Sequence, residues 1–207
     1  MRNAEKFWNK VAEKYAKRPI KNISPYNETM ERTKAQLAEG DNVLEVGCGT
    51  GSTALLLASS VKQITATDIS SNMIEIGSNK AKDQHVGNVD FIQSTLFDDT
   101  LEKGSFDVIL AFNFLYLLED TSSAIRRINE FLKPGGLFIS KTMCVAEHSR
   151  LFRVLLYTME KLGIAPYIKF FKIRELEDFI TDENFQIIET AMYHETPLRR
   201  FIVAKKM

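Results

Sequence analysis

The sequence is poor in the residues that most often mark a special environment. Its 207 residues include two cysteines, one tryptophan, three histidines and five prolines. Two cysteines cannot build a disulfide framework, and Cys48 lies inside a glycine-rich loop. Both Cys48 and Cys144 therefore read as small buried residues, and a reduced, cytoplasmic setting is expected. So few cysteines, with scattered histidines, argue against a zinc or other metal site. Neither sign of charge dominates: 27 Lys+Arg stand against 27 Asp+Glu. A large nucleic-acid surface normally brings a basic excess, so nucleic acid is not an expected partner. The longest near-apolar run, Val108 to Leu118, is interrupted by Asn113 and too short to span a bilayer, so no transmembrane segment is expected. The opening Met1-Arg2-Asn3-Ala4-Glu5-Lys6 is polar and lacks the apolar core of a signal peptide. There is no internal repeat, low-complexity tract or linker. What remains is an ordinary globular composition, 44% hydrophobic and 26% charged, long enough for one domain with a sizeable core.

Against this background one stretch stands out, Val43-Leu44-Glu45-Val46-Gly47-Cys48-Gly49-Thr50-Gly51. Val43, Leu44 and Val46 make a short buried strand, entered through the turn residues Asp41-Asn42. Ser52-Thr53 and the run Ala54 to Ala58 begin a helix. The three alternate glycines between them permit a sharp turn and let a ligand lie on the backbone. Open α/β sheets bind nucleotide-like ligands at such a loop. The dinucleotide pattern G-x-G-x-x-G would place its third glycine at position 52, which is Ser52. Glu45 would also repel a pyrophosphate, whereas it would attract a cation. S-adenosylmethionine (SAM) carries an ammonium and a sulfonium and no phosphate.

The nine residues from Val43 to Gly51 resemble the first motif of the class I SAM-dependent methyltransferases. The resemblance extends from about Phe7 to Ala204, is strongest over residues 43 to 140, and is broadly to the methyltransferase type-11 and ubiquinone/menaquinone-biosynthesis-like group. It implies SAM as cofactor and S-adenosyl-L-homocysteine as product. It also implies a Rossmann-like, doubly wound α/β sheet of seven strands, mostly parallel with a C-terminal antiparallel hairpin, and helices on both faces. The chain then divides into an N-terminal helical lid (1–40), a cofactor-binding core (41–142), a helical substrate-side insertion (143–183) and the hairpin (184–207).

Cofactor contacts are expected at the loop itself, Glu45, Gly47, Cys48, Gly49 and Gly51. The second strand, Gln63 to Asp68, ends in an acidic residue roughly 20 positions after the first glycine, placed to accept hydrogen bonds from a ribose diol. Ser70 can cap the following helix, which makes a capping role for Asp68 redundant. Ile69 and Met73 then lie beside the adenine, although Met73 could equally be core. The third strand, Val89 to Gln93, leads to Ser94-Thr95-Leu96, where the family commonly carries Gly-Asp-Ala. Thr95 stands where that aspartate usually falls, so adenine recognition rests on Ser94, Thr95 and Leu96, partly through backbone groups. The fourth strand follows the turn at Gly104-Ser105, and Asn113 at its carboxyl end faces the ligand by the switch-point rule. Asn113-Phe114-Leu115-Tyr116 lacks the two prolines of enzymes that methylate exocyclic adenine nitrogens, which disfavours that chemistry. Tyr116 is either a pocket residue or an aromatic core residue.

Residues 4 to 17 form a helix with Phe7, Trp8, Val11, Ala12 and Tyr15 on one face. A second runs from Pro25 or Asn27 to Ala38. In similar small-molecule enzymes such helices form a lid, and Tyr15 is the residue placed to reach the methionine end of the cofactor. Thr121 or Ser122 caps a helix through Leu132, Lys133-Pro134-Gly135-Gly136 stops it, and Leu137 to Thr142 make the fifth strand. A helix from about Ser149 to Leu162 buries Leu151, Phe152, Leu155, Leu156 and Met159. Another covers Ile173 to Thr181, and two strands, 185–193 and 199–204, join at Glu195-Thr196-Pro197. Tyr157, Tyr167 and Phe170 are pocket candidates or ordinary core.

Methyl transfer from a sulfonium needs proximity, alignment and exclusion of water, and a base only when the acceptor must lose its proton early. Tyr116 and His148 are the candidate catalytic residues. The expected function is methylation of a small, partly apolar molecule. The alternatives are a SAM-binding protein without transferase activity, an RNA or protein methyltransferase, and a dinucleotide-dependent oxidoreductase. The sequence leaves room for a homo-oligomer.

Overall fold

The computed structural model describes residues 2–19, 22–147, 149–193 and 198–207. Seven strands form one sheet: β1 (Asn42–Val46), β2 (Gln63–Asp68), β3 (Val89–Gln93), β4 (Phe106–Phe112), β5 (Leu132–Met143), β6 (Phe185–Tyr193) and β7 (Arg199–Lys206). Their order is β3-β2-β1-β4-β5-β7-β6. The first five run parallel, and β7 is antiparallel to both β5 and β6. The α-helices among the described residues are α1 (Arg2–Ala16), α2 (Ile23–Lys34), α3 (Ser52–Leu57), α4 (Ser71–Asp83), α5 (Thr121–Phe131), α6 (Arg150–Lys161) and α7 (Ile173–Thr181). This is the doubly wound sheet with an antiparallel C-terminal pair expected from the sequence.

Both faces of the sheet are covered, and the alternation of side chains shows how. In β4, Ile109 and Ala111 join one core with Ile125, Ile128 and Phe131 of α5 and Leu176 and Ile180 of α7. Val108 and Leu110 point the other way, into a second core with Ala54 and Leu57 of α3. β7 divides likewise, Ile202 and Ala204 to the first core and Phe201 and Val203 to the second. A strand buried on both faces needs a continuous apolar run, which is what Val108 to Ala111 provides. Each of the Val, Leu, Ile and Phe side chains among them contributes about 1.5–3 kcal/mol when fully buried.

Local chemistry moves several boundaries. α5 is capped by Asp120, whose carboxylate accepts from the Ser123 amide at 3.0 Å and the Ser123 hydroxyl at 2.6 Å. Thr121, one of the two expected caps, is instead fully buried, and its hydroxyl accepts from the Lys169 amine at 3.2 Å. β5 begins at Leu132, opposite Phe106, five residues before the expected start. The ladder then slips, and Lys133-Pro134-Gly135-Gly136 forms a bulge inside the strand rather than a turn ahead of it. The Lys133 amine anchors the bulge on Asp107, 2.7 Å from each carboxylate oxygen. α2 lies earlier than expected and stops at Lys34. α6 corrects the sequence reading most: none of its residues is fully buried, and Leu151 and Leu155 are 80% and 54% exposed.

Gly51 shows why one of the three loop glycines belongs to the fold. Its φ is +72°, and a Cβ there would overlap the Phe91 ring, which also fills the space over Gly77 of α4. Gly51→Ala is expected to destabilise the protein by about 2–5 kcal/mol, the sum of overpacking and left-handed strain. At Gly49, φ +54°, a Cβ would meet only a Tyr15 carbon at 3.7 Å. Gly49→Ala should therefore lower stability by only about 1–2 kcal/mol, from backbone strain alone. Urea midpoints of the two variants measure the difference; equal midpoints would contradict it.

Candidate functional site

The carboxyl ends of β1, β2, β3 and β4 open onto one cavity of about 950 Å³, with α1 along one side. Parallel strands place their ends at a common edge, and the β1–β4 neighbourhood is where the winding of the sheet reverses. Gly47 and Gly49 line the cavity from the loop after β1; Asp68, Ile69 and Met73 line it from the end of β2 and the start of α4. Ser94, Thr95 and Leu96 follow from β3, Asn113 and Tyr116 from β4, and Tyr15 from α1. Glu45, Cys48 and Gly51 do not line it. Cys48 is buried behind the loop, with its thiol pushed well up by burial. His148 lies outside the described residues.

The loop is held from behind. The Cys48 amide donates to the Thr67 carbonyl at 2.9 Å, which fastens it to β2. The Lys80 amine of α4 donates to the Thr50 carbonyl at 3.1 Å and the Thr50 hydroxyl at 2.9 Å. In front, the Gly49 amide donates to Asp68 Oδ2 and the Ser70 amide to Asp68 Oδ1, each at 2.9 Å. Two amides thus orient the half-buried carboxylate, and each oxygen keeps a further acceptor position. Burial raises the Asp68 carboxyl above its ordinary value, against the pull of the Ser70, Gly49 and Ile69 amides. Ser70 caps α4, its hydroxyl accepting from the Met73 amide at 3.1 Å.

Glu45 sits beneath this floor. It is 3% exposed, and its Oε2 has no hydrogen-bond partner. Burial pushes its carboxyl up to about 8, the Ala54 amide and Thr53 hydroxyl pulling down and the nearby Asp68 pushing further up. Among the described residues no cation is ion-paired with either carboxylate. Two desolvated carboxylates under a cavity, one with an orphaned oxygen, make an environment that a cationic ligand would stabilise.

The remaining wall mixes aromatic rings with the charged residues Lys6, Lys10, Glu119, Asp120, Glu160 and Lys161. The rings of Phe7 and Trp8 meet edge-on at 5.3 Å, and those of Trp8 and Tyr15 at 6.2 Å. Phe114 lies so close over Gly47 that a Cβ there would overlap its ring. Burial, with Tyr15 nearby, pushes the Tyr116 phenol up to about 12. At neutral pH Tyr116 keeps its proton and can donate a hydrogen bond; it is not a ready base. Burial, then Asp68, raises the Tyr15 phenol as well. Around the end of β3, the Asp98 carboxylate accepts from the Thr95 amide at 2.6 Å and the Ser94 hydroxyl at 3.2 Å. That carboxylate organises its own loop, and the Thr95 hydroxyl accepts from the Phe97 amide at 3.3 Å.

Several cavity residues escape sequence reasoning. Phe97, Phe114, Leu118 and Pro166 line it with no motif to announce them. Phe114 could have been inferred from its place beside Asn113 at a strand end. Of the three aromatic candidates in the insertion, Tyr167 lines the cavity and Tyr157 and Phe170 do not. Tyr157 is 54% exposed, with the Lys161 amine 5.2 Å from its ring centre. No group of three potential metal ligands exists among the described residues.

Residues 37–186 match the family described as "Methyltransferase domain". A ubiquinone biosynthesis O-methyltransferase of Acinetobacter baumannii is 25% identical over 202 residues, covering 95% of this chain and 84% of that protein. Among solved structures, a SAM-dependent methyltransferase of Methanosarcina mazei superposes with a TM-score of 0.71 at 23% identity, over 84% of this chain and 96% of that one. Geranyl diphosphate C-methyltransferase of Streptomyces coelicolor, solved with S-adenosyl-L-homocysteine, gives 0.74 at 14% identity, over 89% and 77%. The chain belongs to the methyltransferase-domain family and is a class I enzyme whose cofactor is S-adenosylmethionine.

Proposed function

We propose that this enzyme methylates a small, partly apolar molecule, and that the cavity holds donor and acceptor side by side. The observation that carries this reading is the mixed lining of the cavity. The glycine loop and Asp68 line it, with Glu45 buried beneath them, and so do the apolar or aromatic Phe7, Trp8, Phe97, Leu118, Pro166 and Tyr167. Its volume of about 950 Å³ is at the upper end of the range for small-molecule sites, roughly 300–1,000 Å³. That leaves room for an acceptor beside an adenosyl ligand. The named relatives, a ubiquinone-biosynthesis O-methyltransferase and a geranyl diphosphate methyltransferase, support an acceptor of this kind.

When bound, the cofactor supplies an activated methyl group on a sulfonium. Asp68 would hold the ribose, and Ile69 and Met73 would flank the adenine, with Thr95 and Leu96 at its edge. Glu45 and Asp68 would offset the positive charge. The aromatic wall would exclude water and bring the acceptor into line with the methyl, which is where most of the rate enhancement for such a displacement arises. Tyr116, which lines the cavity, would donate a hydrogen bond to the acceptor. α1 would act as the cover of the cavity, whereas α2, expected to share that role, contributes no residue to its lining.

Calorimetric titration with SAM, S-adenosyl-L-homocysteine and NAD is the first test, with micromolar binding of the first two and none of NAD expected. Methyl incorporation is then measured with hydroxylated aromatic and isoprenoid acceptors. Turnover only on RNA or protein would overturn the acceptor assignment.

A further inference from the structure

We propose that Asn9 is a positioning residue, a latch that fastens α1 over the cofactor cavity and sets how long the adenosyl ligand stays bound. Asn9 lies in the middle of α1, between the cavity-lining Trp8 and Lys10. It does not touch the cavity. Its side-chain oxygen accepts from the Ser70 hydroxyl at 2.6 Å and from the Asn72 amide at 3.2 Å, and its carbonyl accepts from the Asn72 side chain at 3.1 Å. The Ser70 hydroxyl already accepts from the Met73 amide, so its own proton is directed to Asn9.

The same Ser70 donates its amide to Asp68 Oδ1, and Asp68 Oδ2 accepts from Gly49. One residue thus joins the latch to the carboxylate placed for the ribose. α1 supplies Phe7, Trp8 and Tyr15 to the cavity wall, so a ligand held there packs against α1 while the latch is closed. A second link is weaker: Gln93 donates to Glu5 at 3.3 Å and to the Ile69 carbonyl at 3.2 Å. Asn9 therefore carries the shortest polar contact between α1 and the sheet-end loops among the described residues.

This rests on an adenosyl ligand occupying the cavity, and the experiment separates the two claims. Trp8 is the only tryptophan of the chain and lines the cavity, so its emission reports on α1 directly. S-adenosyl-L-homocysteine dissociation is followed by stopped-flow fluorescence for the parent, Asn9→Ala and Asn9→Asp, with hydrogen exchange of α1 in the free proteins. Asn9→Ala loses both side-chain bonds and is expected to release the ligand roughly tenfold faster, with faster exchange in α1 and little change in α4. Asn9→Asp keeps an acceptor oxygen for Ser70 and Asn72 and is expected to restore the dissociation rate to within about threefold of the parent. Parent-like release from Asn9→Ala, or equally fast release from both variants, would overturn the latch. A folded parent that does not bind S-adenosyl-L-homocysteine at all would overturn the latch and the ligand assignment together.

Discussion

Asp68→Ala is expected to weaken SAM binding by about 1.5–3 kcal/mol, the scale of hydrogen bonds to a charged group. That is roughly a 10- to 150-fold rise in Kd. The loss has two sources. The ribose would lose its acceptor, and the Gly49 and Ser70 amides, each now 2.9 Å from an Asp68 oxygen, would lose theirs. The second effect loosens the glycine loop itself. The fold should survive, because the Cys48 amide still holds the Thr67 carbonyl and Lys80 still holds Thr50. Asp68→Asn is no rescue. One of its two positions becomes an N–H₂ aimed at an amide N–H, so donor meets donor. Calorimetry on both variants, with melting curves as the control, decides the matter. A folded Asp68→Ala that binds SAM like the parent would remove Asp68 from the site.

Glu45→Gln is expected to change stability and binding in opposite senses. The Glu45 carboxyl is raised from 4.5 to about 8, chiefly by burial. Between those values the folded protein retains a proton that the unfolded chain has released. The stability this proton represents is fully present below about 4.5 and is lost as pH rises through about 8. Asp68, also raised by burial, acts in the same direction. Glutamine is neutral at every pH, so the variant should lose less stability than the parent between pH 6 and 9. The difference above pH 8 should be on the order of a few kcal/mol. Binding goes the other way. A cation arriving above Glu45 favours its ionised form, so SAM binding below pH 8 should release a proton. Titrations in buffers of different ionisation enthalpy detect that release. Glu45→Gln should abolish it and weaken SAM by about 1.5–3 kcal/mol. Equal proton release by parent and variant would mean that Glu45 does not respond to the ligand.

The strands and the loop are legible in the sequence because their cause is local. Val108 to Ala111 must be apolar throughout to satisfy two cores, and β1 must end in small residues to turn into α3. Such constraints leave a mark on neighbouring letters. The departures come from contacts distant in sequence. Nothing near Lys133 announces that its amine reaches Asp107, 26 residues earlier, and turns the expected stop into a bulge within β5. The pattern of α6 identifies an apolar arc, but not whether a neighbour covers it, and Leu151 and Leu155 are left outside. At the site, Asp68 and the glycines belong to a recognisable spacing. Phe97, Phe114 and Pro166 reach the cavity only through the path of three separate loops. The orphaned oxygen of Glu45 and the partnership of Asn9 with Ser70, 61 residues away, exist only in three dimensions.

The strand order has a consequence for how the chain is made. β7 comes after β6 in sequence but lies between β5 and β6 in the sheet. Among the described residues β6 pairs with no other strand, and Asn184 just before it also holds the far end of β7, its side chain donating to the Met207 carbonyl at 2.9 Å. During synthesis, residues 185–193 therefore leave the ribosome as an unpaired strand, while β5 keeps an open edge. Both stay exposed until residues 199–206 slide in and close the two edges at once. The cavity edge, β1 to β4, is complete at Phe112, 94 residues before β7 ends at Lys206. A nascent chain of this enzyme thus passes through an interval with its binding edge assembled and its far edge open to other strands, when pairing with a neighbouring chain is the chief hazard.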